Sequence, residues 1–313
     1  MAVLGIKSHM SQTASPRYGP LENRHASMKT TNWPIKIGLW AVNLGALLVF
    51  VPGSFSWSAV AVMFGLWYIT GGIGVSLCFH RTLTHRSLVL AKPIEYAMAL
   101  FGSLALQGGP ISWVATHRIH HAHSDKDGDP HDARRGLLWT HMQWLYQPNE
   151  ARPSREEKSR YAADLLEDPF LRFLEANSVW LQVALGVALF AIGGLPWLVW
   201  GIFVRLVAVY HITWLVNSAS HRFGYRTYLT TDKSTNCWWV GLLAWGEGWH
   251  NNHHAFPFSA RHGMRWFEFD QTWVVIRILA VLRLASAVRL PTEAMKRRRL
   301  VRNMSKGEQP VLG

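Results

Sequence analysis

From Trp57 to Phe79 the chain runs without a single charged side chain. Wound as a helix at about 1.5 Å per residue, that run reaches roughly 34 Å, enough to cross the hydrocarbon core of a bilayer. Gly38 to Val51 is almost wholly apolar as well, and Pro52-Gly53-Ser54-Phe55-Ser56 reads as the tight turn between the two. Charges vanish again from Ala176 to Val204, a stretch too long for one crossing and punctuated by Gly193-Gly194-Leu195-Pro196. It predicts a second helical hairpin with arms at about Val179 to Ile192 and Trp197 to Val216. Trp180, Trp197, Trp200 and Trp214 fall near the arm ends, where amphipathic rings favour the membrane interface. Ile94 to Leu106 carries Glu95 and is expected as a helix lying in the interface or against the protein. Composition agrees: 49% of residues are hydrophobic and only 16% charged, against about 25% charged in soluble domains.

Four crossings place the N-terminal tail, the segment from His80 to Glu175 and the chain beyond Asn217 on one side. The two opposite turns hold no Lys or Arg, and all basic residues but Arg205 fall on or beside the first side. The positive-inside rule therefore predicts cytoplasmic N- and C-termini. A soluble protein with two greasy hairpins leaves that asymmetry without a cause. Residues 1–34 are expected as a polar tail without the apolar region of a signal peptide, 35–290 as one membrane domain, and 291–313 as a basic tail. The net charge of +13 and the run Lys296-Arg297-Arg298-Arg299 suit anionic headgroups, and no nucleic-acid motif accompanies them. Two cysteines, Cys78 and Cys237, are too few for a disulfide framework or a thiolate cluster.

Sixteen histidines are the anomaly. Three clusters stand out: His80-Arg81-Thr82-Leu83-Thr84-His85, His117-Arg118-Ile119-His120-His121 and His250-Asn251-Asn252-His253-His254. In the second and third, spacings of three and four residues put imidazoles on one helix face, because about 3.6 residues complete a turn. Adjacent histidines are splayed by about 100°, awkward for one ion and natural for two ions close together. His80 follows the second span and His221 the fourth, so both helix ends can feed one cavity at the membrane surface. His9, His25, His123, His131, His141, His211 and His262 lack the pattern and are expected to be ordinary histidines.

Neutral imidazole suits zinc, copper or iron alike. Nine histidines exceed what a zinc hydrolase needs, and His-Glu-x-x-His is absent. A carboxylate-bridged di-iron bundle needs two Glu-x-x-His pairs with further glutamates. Glu247-Gly248-Trp249-His250 supplies one, while Glu22-Asn23-Arg24-His25 lies in the polar tail. Bis-histidine haem needs ligands facing each other within spans, and these lie at span ends and beyond.

With those residues in view, the sequence resembles the integral-membrane fatty acyl Δ9 desaturases, most nearly the bacterial and cyanobacterial acyl-lipid enzymes and more distantly stearoyl-CoA desaturase. The resemblance runs from about residue 35 to 290. It is carried by His-Arg-Thr-Leu-Thr-His-Arg at 80–86, His-Arg-Ile-His-His at 117–121, Asp-Pro-His-Asp at 129–132, Asn-Ser-Ala-Ser-His at 217–221 and Gly-Trp-His-Asn-Asn-His-His at 248–254. It implies an all-α integral-membrane fold of four transmembrane helices in two hairpins, with a cytoplasmic helical cap carrying a histidine-rich di-iron site. By the same resemblance His80, His85, His117, His121 and His253 hold one iron, and His120, His221, His250 and His254 the other, with Asn217 on a metal-bound water. Tyr68, Gln107, Trp113, Thr213 and Trp214 then meet the acyl chain, with Tyr68 near its methyl end. For Tyr68 and Gly72, one turn apart on the second span, the competing reading is helix packing.

The implied activity is an oxygen-dependent insertion of a cis double bond, at Δ9, into a saturated acyl chain, with two iron ions as cofactor and dioxygen as co-substrate. Positions that meet the nucleotide headgroup in acyl-CoA enzymes correspond here to Gly108, Ala115, Thr116 and Pro148-Asn149, which puts a CoA clamp in doubt and favours a membrane-lipid acyl group. No fused cytochrome b5 motif is found, so electrons are expected from a separate ferredoxin or cytochrome b5. The rivals are an acyl-CoA Δ9 desaturase, a membrane di-iron hydroxylase, and a non-catalytic metal-binding or transport protein. Asp125, Asp129, Asp132 and Glu247 are candidates to orient metal-bound imidazoles. Arg205, costly inside a bilayer, must serve a purpose the sequence does not reveal.

Overall fold

A computed structural model describes residues 31–147 and 152–301. The tail residues His9, Glu22 and His25, the Pro148-Asn149 pair and the chain beyond Val301 lie outside the described residues, so the readings made there are not addressed. Helix α1 spans Trp33–Ala46 and tightens through Leu47–Phe50. Its start is set by Asn32, whose side chain accepts from the Ile35 amide, with proline in the first turn. Helix α2, Trp57–Trp67, is capped by Ser56. It continues without a break into a wider π-wound segment, Tyr68–Thr84. With their continuations, α1 and α2 supply two of the three helical runs among the described residues that are long and apolar enough to cross a membrane.

The third run, Pro169–His221, comprises α7 (Pro169–Leu198), a short π-wound stretch and α8 (Arg205–Ser218) before its last turn. It is broken at Gly194, whose φ of +63° only glycine adopts cheaply. Beyond the break the chain folds back: Gly186 lies against Leu198 and Ile202, and Gly201 against Leu189. The turn expected at Gly193-Gly194-Leu195-Pro196 is therefore where the chain bends. Large apolar side chains on these runs face outward, Phe50 at 82%, Trp57 at 79% and Ile192 at 71% exposure, an arrangement water penalises and hydrocarbon does not.

The expected helix after the first cluster is α3, Lys92–Ser103. It packs so tightly on the π-wound segment that Gly74 and Gly102 meet backbone to backbone. Helix α4, Pro110–His123, carries the second histidine cluster, with Pro110 at its first position. The short helices α5 (Leu137–His141) and α6 (Arg155–Tyr161) follow. After α8 come α9 (Trp238–Leu243), α10 (His250–Ala255), α11 (Gln271–Val281) and α12 (Glu293–Arg299). Two residues each from β1 (Val89–Leu90) and β2 (Ala285–Ser286) pair antiparallel, the one small sheet among the described residues. The main apolar core, including Leu77, Phe79, Ile111, Ile119, Leu171 and Ile276, joins the π-wound segment, α4, α7 and α11 beneath the histidines. Past α12 the chain straps over the loop before α9: the Leu229 amide donates to Arg299 O at 2.8 Å and the Val301 amide to Thr227 O at 3.2 Å.

Candidate metal centre

The first cluster defies α-helical geometry. A spacing of five residues puts His80 and His85 about 140° apart on an α-helix. The π winding removes the conflict: the His85 amide donates to His80 O at 3.2 Å, and the two rings lie 4.8 Å apart. Helix α4 brings His117 and His121 to the same place, their Nε2 atoms 3.1 Å apart, and α10 adds His253, whose Nε2 stands 3.1 Å from that of His80 and 2.9 Å from that of His121. Ring nitrogens of His80, His85, His117, His121 and His253 all fall within 4.8 Å of one another. A second set of the same closeness is His120, His221, His250 and His254. Thus the two groups expected from the sequence assemble as two groups, each drawn from separate elements.

Carboxylates orient the rings. His80 Nδ1 lies 2.7 Å from Glu247, His120 Nδ1 2.9 Å from Asp129, His221 Nδ1 3.0 Å from Asp125 and His254 Nδ1 2.8 Å from Asp232. An ionised carboxylate only accepts, so each Nδ1 carries the proton, and Nε2 is left as the atom through which the neutral ring ligates a metal. Burial favours carboxyl protonation at all four sites. At Asp125 and Asp232 the neighbouring His221 and His254, with other donors, outweigh burial and hold the carboxyls well below the usual range. At Glu247 His80, Arg81 and His262 do the same, whereas at Asp129 burial prevails and pushes the group up. Arg81, fully buried, grips Glu247 at 3.0 Å and Asp270 at 2.9 Å, fixing the carboxylate beneath His80.

A metal fits this chemistry. Burial pushes His85, His117, His120, His121, His250 and His253 well below the ordinary imidazole value, leaving them neutral and able to ligate. Nε2 of His85, His120 and His254 is buried with no hydrogen-bond partner, and the remaining Nε2 atoms point at one another. Lone pairs so arranged are costly unless a cation sits among them. The asparagines between the α10 histidines face away from the cluster: Asn251 accepts from the Thr227 and Tyr228 amides at 2.8 Å, and Asn252 reaches Asn236 and Glu268.

Two histidines expected to be ordinary lie against this cluster. His262 is fully buried, its Nδ1 3.2 Å from Glu247 and its ring 4.5 Å from that of His253. His131 lies tilted against His120 with centroids 4.2 Å apart. Asp232 escaped the sequence reading altogether, because nothing in its spacing ties it to His254. Asp132, a candidate on the same footing as Asp129, instead caps a short turn and pairs with Arg134.

Among the residues expected to meet an acyl chain, three are linked. Gln107 Nε2 donates to Thr213 Oγ1 at 2.9 Å, and Trp113 Nε1 donates to Gln107 Oε1 at 3.3 Å. Trp113 stacks on His117 at 5.1 Å, so this group abuts the histidines directly. Trp214 is buried against Tyr210 at 5.3 Å and against the His141–His211 pair. Asn217 lies one turn before His221. Tyr68 stands apart, its ring beside Trp67 at 6.4 Å. Gly72, one turn on, is covered by the indole of Trp245 from the loop after α9.

Residues 55–282 match the family model for fatty acid desaturases. The chain belongs to the fatty acid desaturase family. It is 52% identical over 259 residues to an sn-1 stearoyl-lipid 9-desaturase of Anabaena variabilis, covering 83% of this chain and 94% of that protein. It is 49% identical over 257 residues to a chloroplastic palmitoyl-monogalactosyldiacylglycerol delta-7 desaturase of Arabidopsis thaliana, covering 82% and 69%. It is 44% identical over 270 residues to an acyl-CoA C20 Delta5-desaturase of Anemone leveillei, covering 85% of each. As a member of this desaturase family the protein is an oxidoreductase of lipid metabolism, and its histidine sets are those of a metal centre.

Proposed function

We propose that the protein is an acyl-lipid desaturase that introduces a cis double bond at Δ9 into a saturated chain of a membrane lipid. The similarity to the stearoyl-lipid and galactolipid desaturases supports a lipid carrier, as does the absence of charged residues at Gly108, Ala115 and Thr116. The acyl-CoA relative keeps a CoA substrate as the second reading. The single observation that carries the proposal is the pair of converging imidazole sets directly beside the Gln107, Trp113 and Thr213 cluster.

In this reading residues 35–290 form the desaturase domain between the tails at 1–34 and 291–313. Four crossings in two hairpins hold a helical cap on the cytoplasmic side, with both termini there. His80, His85, His117, His121 and His253 hold one iron, and His120, His221, His250 and His254 the other, with Asn217 on a bound water. Bound iron with dioxygen supplies the oxidising power that side chains lack for an unactivated methylene. The protein's own part is placement. Glu247, Asp129, Asp125 and Asp232 keep the Nδ1 protons on His80, His120, His221 and His254 and aim their Nε2 atoms inward. The hydrogen-bonded Gln107, Thr213 and Trp113 form a fixed bend in the acyl path beside His117, which selects the carbon pair presented, with Trp214 flanking it and Tyr68 farther along. Electrons come from a separate acidic ferredoxin or cytochrome b5 attracted to the basic face.

Expression in a host whose membranes lack Δ9 unsaturation, followed by positional analysis of each lipid class, tests the proposal. A cis-Δ9 chain appearing on glycerolipid supports it. A hydroxylated product, or unsaturation confined to acyl-CoA, rejects it.

A further inference from the structure

Arg205 is fully buried, sits within the longest apolar run, and among the described residues pairs with no carboxylate. Its hydrogen bonds go elsewhere. Nε donates to Gly201 O at 2.8 Å, one Nη to Thr70 Oγ1 at 3.2 Å and to Leu104 O at 2.6 Å, and the other Nη to Gln182 Oε1 at 3.1 Å. Thr70 spends its own proton on Leu66 O, so it is free to accept from the guanidinium. One side chain thus ties the second long helix, both arms of the third run and the carbonyl that ends α3. Placing a guanidinium in this setting is costly, and its partners show what the cost secures.

Leu104 begins a short loop to Gln107, and α8 holds that loop at three points. Arg205 takes Leu104 O, Tyr210 OH donates to Leu106 O at 3.1 Å, and Thr213 accepts from the Gln107 amide group. Leu106 has a φ of +52°, a left-handed conformation unfavourable for leucine, and it persists because its neighbours are pinned. Thr213 itself is fixed by donating to Val209 O at 2.8 Å. Without the grip on Leu104, the loop is free to relax, and Gln107 would move relative to α8 and to Trp113.

We propose that Arg205 is a positioning residue that sets where along the acyl chain the double bond is placed. It does so by fixing the loop that carries Gln107, and the inference rests on the reading that Gln107, Thr213 and Trp113 shape the bend of the substrate. The guanidinium is suited to this because its planar fork reaches several carbonyl and hydroxyl oxygens at once, which a lysine ammonium cannot reproduce.

The test is product position, not product amount. Full-length wild type, Arg205→Lys, Gln182→Met, Tyr210→Phe and Gln107→Ala are expressed in the same host, and double-bond positions are read by mass spectrometry of dimethyl disulfide adducts. Yield is normalised to membrane-inserted protein, and bound metal per chain is measured in parallel. Arg205→Lys and Tyr210→Phe are expected to raise the fraction of isomers displaced by one or two carbons at least tenfold, and Gln182→Met less, with metal content unchanged. Lower yield at an unchanged isomer ratio overturns the proposal, since a residue serving stability alone lowers amount without moving the bond. If Arg205→Lys fails to accumulate, the other two variants decide, and an unchanged ratio in both overturns it. A shift in Gln107→Ala with none in the Arg205, Gln182 and Tyr210 variants rejects Arg205 alone. No shift in any variant rejects the bend reading beneath it.

Discussion

Replacing Asp232 by asparagine changes one oxygen to an amino group and tests how the rings are aimed. Asp232 Oδ2 faces His254 Nδ1 at 2.8 Å, while Oδ1 accepts from the Ser234 amide at 2.9 Å and from Thr230 Oγ1 at 3.0 Å. An asparagine keeps its oxygen toward those donors and turns its amino group toward the imidazole. Two donors then confront each other, and His254 relieves the clash by moving its proton to Nε2, the atom aimed at its three partners. A protonated Nε2 cannot ligate. Loss of such an outer partner typically costs tenfold to a hundredfold in metal affinity, about 1.4 to 2.7 kcal/mol. The assay is metal content of detergent-purified protein equilibrated in buffers of fixed free iron. Asp232→Asn is expected to lose occupancy of the four-histidine set at free iron that still saturates the wild type, while the five-histidine set stays filled. Asp132→Asn is the control, because Asp132 engages Arg134 and no histidine of either set. Equal affinity in Asp232→Asn and wild type would refute the tautomer argument, and equal losses in both variants would refute its specificity.

Three further outcomes are expected. His120→Ala and His253→Ala, one from each set, should each abolish unsaturation in lipid profiles while the protein still inserts in membranes; full activity in both would reject the ligand assignment. Gly74→Ala should cost about 1–3 kcal/mol, because an added Cβ would stand 2.2 Å from the Gly102 nitrogen, backbone that cannot rotate away; a thermal midpoint equal to wild type would contradict that packing. Metal-free protein should lose stability as pH falls below about 6.5, the ordinary imidazole value. Burial lowers His85, His117, His121 and His253 in the folded state, so the unfolded chain binds protons first and acid favours it. Thermal midpoints that stay flat from pH 7.5 to 5.5 would contradict this.

The second and third histidine clusters were legible because each lies on an α-helix, where spacings of three and four repeat the face. The first was legible as a cluster but not as geometry, since His80 and His85 meet only through π winding, which carries no simple periodic mark. The apolar runs and the break at Gly194 followed from charge-free length and from a Gly-Gly-x-Pro turn. His262, His131 and Asp232 did not follow, because they join the centre through loops whose paths depend on packing distant in sequence. Glu247 was visible only as one of four candidate carboxylates, and the buried Arg81 between it and Asp270 sets its role. Arg205 was visible as an oddity, yet its acceptors are mostly backbone carbonyls and neutral side chains, which no residue-type pattern announces.

The strap formed by Arg299 and Val301 bears on how the protein is handled at the bench. Those two residues bracket Thr227 and Leu229 from outside, and the same loop goes on to deliver Asp232 to His254. A cleavage or fusion junction placed upstream of Val301 would therefore unfasten the floor on which one imidazole rests, even though the cut lies far along the chain from every histidine. Affinity handles belong after that point, with a spacer long enough to leave the buckle closed.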